Sequence, residues 1–303
     1  MSNPSSASSS RWLGILFVLT SGCCWGFHGI LIKIALTMGI SFFQVFFFET
    51  VFASIFFLFF VRSFFRGARP RSILQWLGIL ALGIDTIGVG YFLFLSFSLG
   101  PVAIGATLMF MYLPVVYAYS LITGHQTFSI KKIFSIGLIL FGASLTTEII
   151  TSIHQPGVLP AVFAAIVASM CYSVVFILTP AISTYTTPLF RSFSASMTGL
   201  IGSAVILLIK TDLWFPIPDD YGSLLVLILI LGFIGQTLPV ITLMKGLPIT
   251  GSSLGGVLAS VELPIAVFSA ALILGESVNA SKVIGVILVL TGIISYNFWD
   301  KKS

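Results

Sequence analysis

Charged residues are scarce in this chain. Of its 303 residues only 9 are Asp or Glu and 14 are Lys or Arg, so charged side chains make up 8% of the sequence. Soluble domains carry about 25%. Because so few charges cannot cover a chain of this size with a water-compatible surface, and because 57% of its residues are hydrophobic, the composition excludes a soluble protein. It indicates a polytopic, all-α membrane protein.

Cysteine and histidine are also rare, with three residues of each. Cys23, Cys24 and Cys171 lie in apolar segments without metal-ligand spacing, so we interpret them as free packing thiols. The sequence has no HExxH motif, and no GxSxG accompanies a buried His–Asp pair, which argues against an intramembrane enzyme. A GxxxxGK[ST] phosphate loop is missing as well. We therefore predict no catalytic residue, no metal and no cofactor.

Apolar runs dominate the rest of the chain, and each is long enough to cross about 30 Å of hydrocarbon as a helix. We predict ten membrane-spanning helices. They lie near residues 12–36, 42–61, 73–98, 101–121, 131–150, 157–179, 190–209, 222–246, 248–274 and 282–299.

The distribution of Lys and Arg predicts the orientation of these helices. If both termini are cytoplasmic, eleven basic residues lie inside and three lie outside, which is a strong positive-inside bias. The net charge of +5 therefore reflects topology and does not indicate nucleic-acid binding. The inside set is Arg11, Arg62, Arg66, Arg69, Arg71, Lys131, Lys132, Arg191, Lys245, Lys301 and Lys302, and the outside set is Lys33, Lys210 and Lys282.

An internal repeat divides the chain into two halves. Residues 103–144 align without gaps on 253–294 at an offset of 150, and residues 23–33 align on 170–180 at an offset of 147. A unit of five helices must enter the membrane from the opposite side in its second copy, so the pattern predicts an inverted repeat. Matched positions include Gly105 and Gly255, Pro114 and Pro264, Lys132 and Lys282, Gly142 and Gly292, and Gly88 and Gly235.

The repeat suggests four segments. We predict a disordered tail at 1–11, a first five-helix unit at 12–150, a second at 157–299 and a short C-terminal tail at 300–303. The stretch after the first tail imitates a signal peptide, but it continues in apolar residues to Leu36. That is too long for a signal sequence.

Two stretches carry a resemblance to a known family. The segments "CCWGFHGILIK" (23–33) and "LMKGLPITGSSLGGVLASVELPIAVFSAALILGES" (243–277) resemble the EamA type of the drug/metabolite transporter superfamily. The second is similar to the small-residue-rich ninth helix of that family, with its proline and closing Leu-Gly-Glu. The resemblance implies ten helices in the bacterial inner membrane and export or exchange of amino acids, related metabolites or drugs.

Two departures from the family pattern bear on the substrate. The first half reads "TGHQ" at 123–126, where Leu-Gly-Glu is expected, and Glu49 stands where the family often has an arginine. A substrate taken over from relatives that carry anions is therefore in doubt.

Polar, ionisable and aromatic residues within the predicted helices are the candidate site. Ionisable groups are costly to keep in a bilayer and are functional candidates by default, and aromatic faces attract cations. Paired prolines in repeat-related helices suggest hinges at a site in the middle of the membrane, although kinks needed only for packing remain the alternative. The substrate-binding candidates are Trp25, His28, Glu49, Asp85, Tyr112, Tyr172, Gln236 and Glu262, and the hinge candidates are Pro114 and Pro264.

Three carboxylates against one buried histidine favour a zwitterionic or cationic substrate. The sequence therefore predicts a secondary transporter of a small polar metabolite, such as an amino acid or a cationic amino-acid derivative, that is proton-coupled or works by exchange. An exchanger of S-adenosylmethionine and S-adenosylhomocysteine is the alternative, and a membrane scaffold is a third possibility of another class. The expected partners are the lipid bilayer and a small molecule, and no oligomeric state is implied.

Overall fold

The computed structural model describes residues 4–60, 67–210 and 221–300. Arg62, Arg66, Lys301 and Lys302, which entered the topology prediction, lie outside these ranges, as does the acidic stretch at 212–220. The described residues form ten long helices and no strand. Eight are at least 18 residues long and apolar enough to cross a membrane, and the other two, Phe42–Leu58 and Ile130–Thr146, have 17 residues each.

The ten helices follow the predicted apolar runs closely. We number them in chain order as α1 Pro4–Thr37, α2 Phe42–Leu58, α3 Ile73–Leu99, α4 Val102–Ile122, α5 Ile130–Thr146, α6 Leu159–Ile182, α7 Pro188–Lys210, α8 Gly222–Thr250, α9 Ser252–Leu274 and α10 Ala280–Asp300. Helix α1 begins inside the segment for which the sequence predicted a disordered tail.

The predicted break between the eighth and ninth helices was placed too early. Pro248 lies inside α8, and the helix ends at Thr250. The chain turns at Gly251, whose φ of +79° is readily adopted only by glycine. The helix continues past Pro248 because the Met244 carbonyl, which Pro248 leaves without a backbone donor, accepts a hydrogen bond from a side chain, as described below.

Since ten is even, both ends of the chain lie on one face of the bundle. We call it the termini face, and it also carries the α4–α5, α6–α7 and α8–α9 connections. The opposite side, the far face, carries the α1–α2, α3–α4, α5–α6 and α9–α10 connections. Large apolar side chains cover the outside of the bundle, for example Ile73 and Leu272, which are more than 80% exposed. Such a surface suits lipid.

The crossing of α5 and α10 displays the inverted repeat. A Cβ on Gly142 would lie 2.6 Å from the Gly285 carbonyl oxygen, and a Cβ on Gly285 would lie 2.6 Å from the Gly142 carbonyl oxygen. A Cβ on Gly292 would similarly lie 2.7 Å from the carbonyl oxygen of Ser135. At the offset of 150, Ser135 is equivalent to Gly285 and Gly142 is equivalent to Gly292. The contact between Gly142 and Gly285 therefore corresponds to the contact between Gly292 and Ser135. The two halves are therefore related by a pseudo-two-fold axis through this crossing.

Helices α4 and α9 are both interrupted shortly before their matched prolines. In α4 a 3₁₀ turn at Met109–Met111 precedes a second helical segment that begins at Tyr112. In α9 the first segment ends at Ala259 and the second begins at Glu262. Tyr112 and Glu262 are equivalent at the offset of 150, so both copies start a new segment at the same place. A hinge motion at Pro114 and Pro264 stays a prediction.

Candidate functional site

One cavity of about 550 Å³ lies in the centre of the bundle, between the two halves. Its wall includes all eight side chains that the sequence singled out. They come from seven different helices and are Trp25, His28, Glu49, Asp85, Tyr112, Tyr172, Gln236 and Glu262. Pro114 and Pro264 are not part of the wall; they lie in the helices whose segments carry Tyr112 and Glu262.

The cavity reaches the far face and ends before the termini face. At its mouth lie Lys33, Glu148, Glu276 and Lys282, all at or beyond the far ends of their helices. At the other end, its deepest wall on α8 is Met244, and the ionic residues of the termini face are not part of the wall. The bundle is therefore open towards the far face.

His28 and Glu49 are joined inside the cavity wall. The Nε2 atom of His28 contacts the Oε1 atom of Glu49, and the Glu49 carboxylate is buried. Because a buried carboxylate is costly without a partner, the histidine compensates for Glu49. The sequence predicted both residues as candidates but not that they form a pair.

A π-helical segment at Leu231–Thr237 shapes the wall on α8. In an α-helix the Gly235 carbonyl would accept a hydrogen bond from residue 239, which is a proline and has no N–H. The indole Nε1 of Trp25 donates to that carbonyl at 3.0 Å instead. π-Helical segments occur frequently at functional sites, and here the segment holds Trp25 in place and exposes Gln236 to the cavity.

Aromatic rings from both halves meet at the end of the cavity that points towards the termini face, which we call the cavity floor. Trp25 and Tyr172, equivalent at the offset of 147, are in edge contact with centroids 5.8 Å apart. Tyr112 contacts Tyr172 at 4.9 Å and stacks on Phe176 at 4.8 Å. The Tyr112 hydroxyl donates to the Gly256 carbonyl at 2.7 Å, near the interruption of α9. The rings therefore connect the two halves beside Glu262.

Two carboxylates in the cavity have no such compensation. Glu262 makes no hydrogen bond or ion pair with a described residue. Asp85 is 7% exposed, and its Oδ1 atom has no hydrogen-bond partner within the described part of the chain. Tyr172 lines the same cavity as both carboxylates. Of the three carboxylates inside the bundle, Glu49 is thus paired, whereas Glu262 and Asp85 line the cavity without an ion-pair partner among the described residues.

Sequence reasoning missed the ionic groups at the mouth. Lys33 of α1 pairs with Glu276 in the α9–α10 connection, and the Lys282 ammonium lies 3.9 Å from the same carboxylate. The Lys33 hydrogen bond holds the pKa of Glu276 below its ordinary value. The repeat contained the signal, because the offset of 150 places Glu276 opposite Gln126 and Lys282 opposite Lys132.

The corresponding pair on the termini face explains the departure at "TGHQ". Lys132 donates to Gln126, and both donate to the Asp300 carboxylate at 3.1 Å. Arg11 donates to the other oxygen of Asp300 at 3.0 Å. The negative charge that the loop lacks is therefore supplied by the end of α10, and the network ties α1, α5 and α10 together on the closed face.

Comparisons with known proteins agree with this architecture. The model of the EamA-like transporter family matches the chain in two parts, residues 12–147 and 159–298. A solved structure, titled only as the crystal structure of a protein, is similar with a TM-score of 0.77 and 13% identity. The match covers 94% of this chain and 98% of that one; at this identity it bears on the fold alone. No curated protein matches the sequence significantly.

Proposed function

The chain belongs to the EamA-like transporter family, and on that premise we propose that it is a secondary transporter for a small polar metabolite with a cationic group. An amino acid or a cationic amino-acid derivative fits this description. We place the protein in the bacterial inner membrane with both termini in the cytoplasm, so that the far face is external. A reporter fused after Ser303 should then behave as cytoplasmic.

The observation that carries this proposal is the presence of two available carboxylates in a central cavity lined by aromatic rings. An acid in the middle of a bilayer costs at least about 2.5 kcal/mol on insertion scales, so it persists only if it is protonated, paired or in contact with water. Glu49 is paired, whereas Glu262 and Asp85 face the cavity. A cationic group between these acids and the rings of Trp25 and Tyr172 would gain both ionic and cation–π contacts.

Transport needs a route from the site to each side of the membrane. The cavity opens on the far face, and α4 and α9 are interrupted at matched positions beside it. Inverted repeats of this kind transport by alternating access, in which one half moves against the other around a site in the middle of the membrane. We propose that Glu262 or Asp85 takes up the coupled proton when the substrate leaves.

Uptake into proteoliposomes tests the proposal. The panel contains neutral and cationic amino acids, polyamines, nucleotides and S-adenosylmethionine, each with and without a pH gradient. The cavity volume falls within the range for drug-sized ligands, so S-adenosylmethionine would fit. Transport of S-adenosylmethionine and of no other compound in the panel would favour the exchanger alternative. Transport of none of these compounds would contradict the assignment of the substrate class.

The variant Glu262→Gln tests the role of the carboxylate. Gln keeps the volume and hydrogen-bonding capacity of Glu262 but cannot carry charge, so we expect normal insertion with lost affinity for the cationic substrate or a lost pH dependence. Glu148→Gln is the matched control, because Glu148 is an exposed carboxylate at the cavity mouth. If neither Glu262→Gln nor Asp85→Asn alters affinity or pH profile, the carboxylates are structural and the proposal fails.

A further inference from the structure

Arg191 is a buried cation that the candidate site does not include. It lies near the start of α7, 1% exposed, and forms no ion pair with a described carboxylate. Its Nη1 donates to the Thr186 carbonyl at 2.9 Å and to the Thr186 hydroxyl at 3.1 Å, and its Nη2 donates to the Met244 carbonyl at 2.6 Å. An arginine kept only for topology would extend towards water, so its burial requires another explanation.

Pro248 supplies that explanation. In α8 the Met244 carbonyl would accept from the backbone N–H of residue 248, but Pro248 has none, and it lies inside the helix. A buried carbonyl without a donor is costly. The guanidinium of Arg191 provides the missing donor from a neighbouring helix, and a charged donor makes the stronger kind of hydrogen bond.

This bond lies directly behind the cavity. Met244 belongs to the cavity wall, and so does Ala195, one turn after Arg191 on α7. Arg191 itself is not part of the wall. Because α7 begins at the termini face and Arg191 precedes Ala195, it lies on the termini side of the cavity floor. Through Thr186 and Met244 it links the α6–α7 connection, α7 and α8. Separation of α7 and α8 at this point would open the cavity towards the termini face, and it would break the bond between Arg191 and Met244.

We propose that Arg191 is a positioning residue that keeps the cavity floor closed by holding α7 against the carbonyl that Pro248 leaves without a donor. The bond breaks when the cavity opens to the termini face and re-forms when it closes. The inference rests on the proposed transport cycle, but access to the cavity can be measured without any substrate. A failure to find the substrate would therefore leave this test intact.

The test is the labelling of Val240→Cys, a position in the cavity wall, in a background with Cys23, Cys24 and Cys171 changed to alanine. A membrane-impermeant maleimide is applied to one side of sealed vesicles at a time, and a C-terminal tag identifies the termini face. The parent should react from the far face. Arg191→Met should raise the labelling rate from the termini face about tenfold or more, as expected for loss of a hydrogen bond from a charged group. Lys245→Met, which removes an exposed cation at the same end of α8, should leave the rate unchanged.

The second variant separates the gate from a purely structural role. Pro248→Ala restores an N–H for the Met244 carbonyl, so Arg191→Met/Pro248→Ala should recover the yield of folded protein. It should still label from the termini face, because α7 is no longer attached to α8. Recovery of the parent labelling together with the yield would overturn the proposal. Unchanged labelling with an altered KM would also overturn it, since that result would identify a binding site for an anionic part of the substrate.

Discussion

Replacing Gly235 by alanine should disturb the candidate site through a single methyl group. A Cβ at this position would lie 2.6 Å from Cδ2 and 2.8 Å from Nε2 of His28, and 3.4 Å from Oε1 of Glu49. Real Cβ atoms essentially never come within 3.0 Å of an atom to which they are not bonded through the chain. The imidazole cannot retreat without leaving Glu49, so either the pair breaks or α1 moves away from α8.

The expected magnitude follows from two opposing effects. Overpacking of a filled site costs about 1–3 kcal/mol, whereas a Gly-to-Ala change in a helix by itself stabilises by about 1 kcal/mol. The net loss in the free energy of unfolding should therefore be up to about 2 kcal/mol. Gly137→Ala is the matched control, because no atom lies within 4 Å of its Cβ, so this variant should only gain stability.

Unfolding in mixed detergent micelles, measured together with substrate affinity, checks this prediction. The cost of Gly235→Ala comes from contact with the His28 ring, so the two positions should be coupled in a double-mutant cycle. In a His28→Ala background, where the ring is missing, Gly235→Ala should lower the free energy of unfolding by less than about 0.5 kcal/mol. If Gly235→Ala behaves like Gly137→Ala, or costs the same without His28, the steric reasoning is refuted. If stability falls but affinity does not, the His28–Glu49 pair is structural only.

Three further outcomes are expected. Asp300→Asn removes the carboxylate that Arg11 and buried Lys132 share, so it should lower the free energy of unfolding by up to about 3–5 kcal/mol. Lys132→Met removes the buried charge itself and should therefore cost less than Asp300→Asn. Equal losses for the two variants would contradict this reasoning. Lys33 lowers the pKa of Glu276 in the folded protein, so the Lys33–Glu276 pair should stabilise the fold at a pH above the ordinary Glu pKa of 4.5. This stabilisation should disappear as the pH falls through the lower pKa of the folded state. Glu276→Gln should remove this part of the pH dependence of unfolding. Cysteines at Trp25 and Tyr172 should react with a small polar reagent and be protected by substrate, whereas protection of neither would make these rings packing residues.

Much of the architecture could be predicted from the sequence because its causes are local or repetitive. A lipid environment requires long apolar helices whose backbone groups are hydrogen-bonded within the helix, so the ten runs were visible in the distribution of apolar residues along the chain. The offset of 150 connected Tyr112 with Glu262, and both start a helical segment in the structure. Ionisable residues inside the runs stood out by their cost and aromatic residues by their attraction for cations, and all eight candidates line one cavity.

Which of these groups are already paired was decided only by the tertiary structure. Three intramembrane carboxylates look alike in the sequence, but His28 takes Glu49 and leaves Glu262 and Asp85 available. Pro248 has no N–H for the Met244 carbonyl, and the donor that replaces it, Arg191, lies 53 positions away in the sequence. Hydropathy and repeats are properties of neighbouring or matched positions in the chain. The partner of a buried polar group depends on which distant atom comes within about 3 Å of it, and only the packing of the helices determines that.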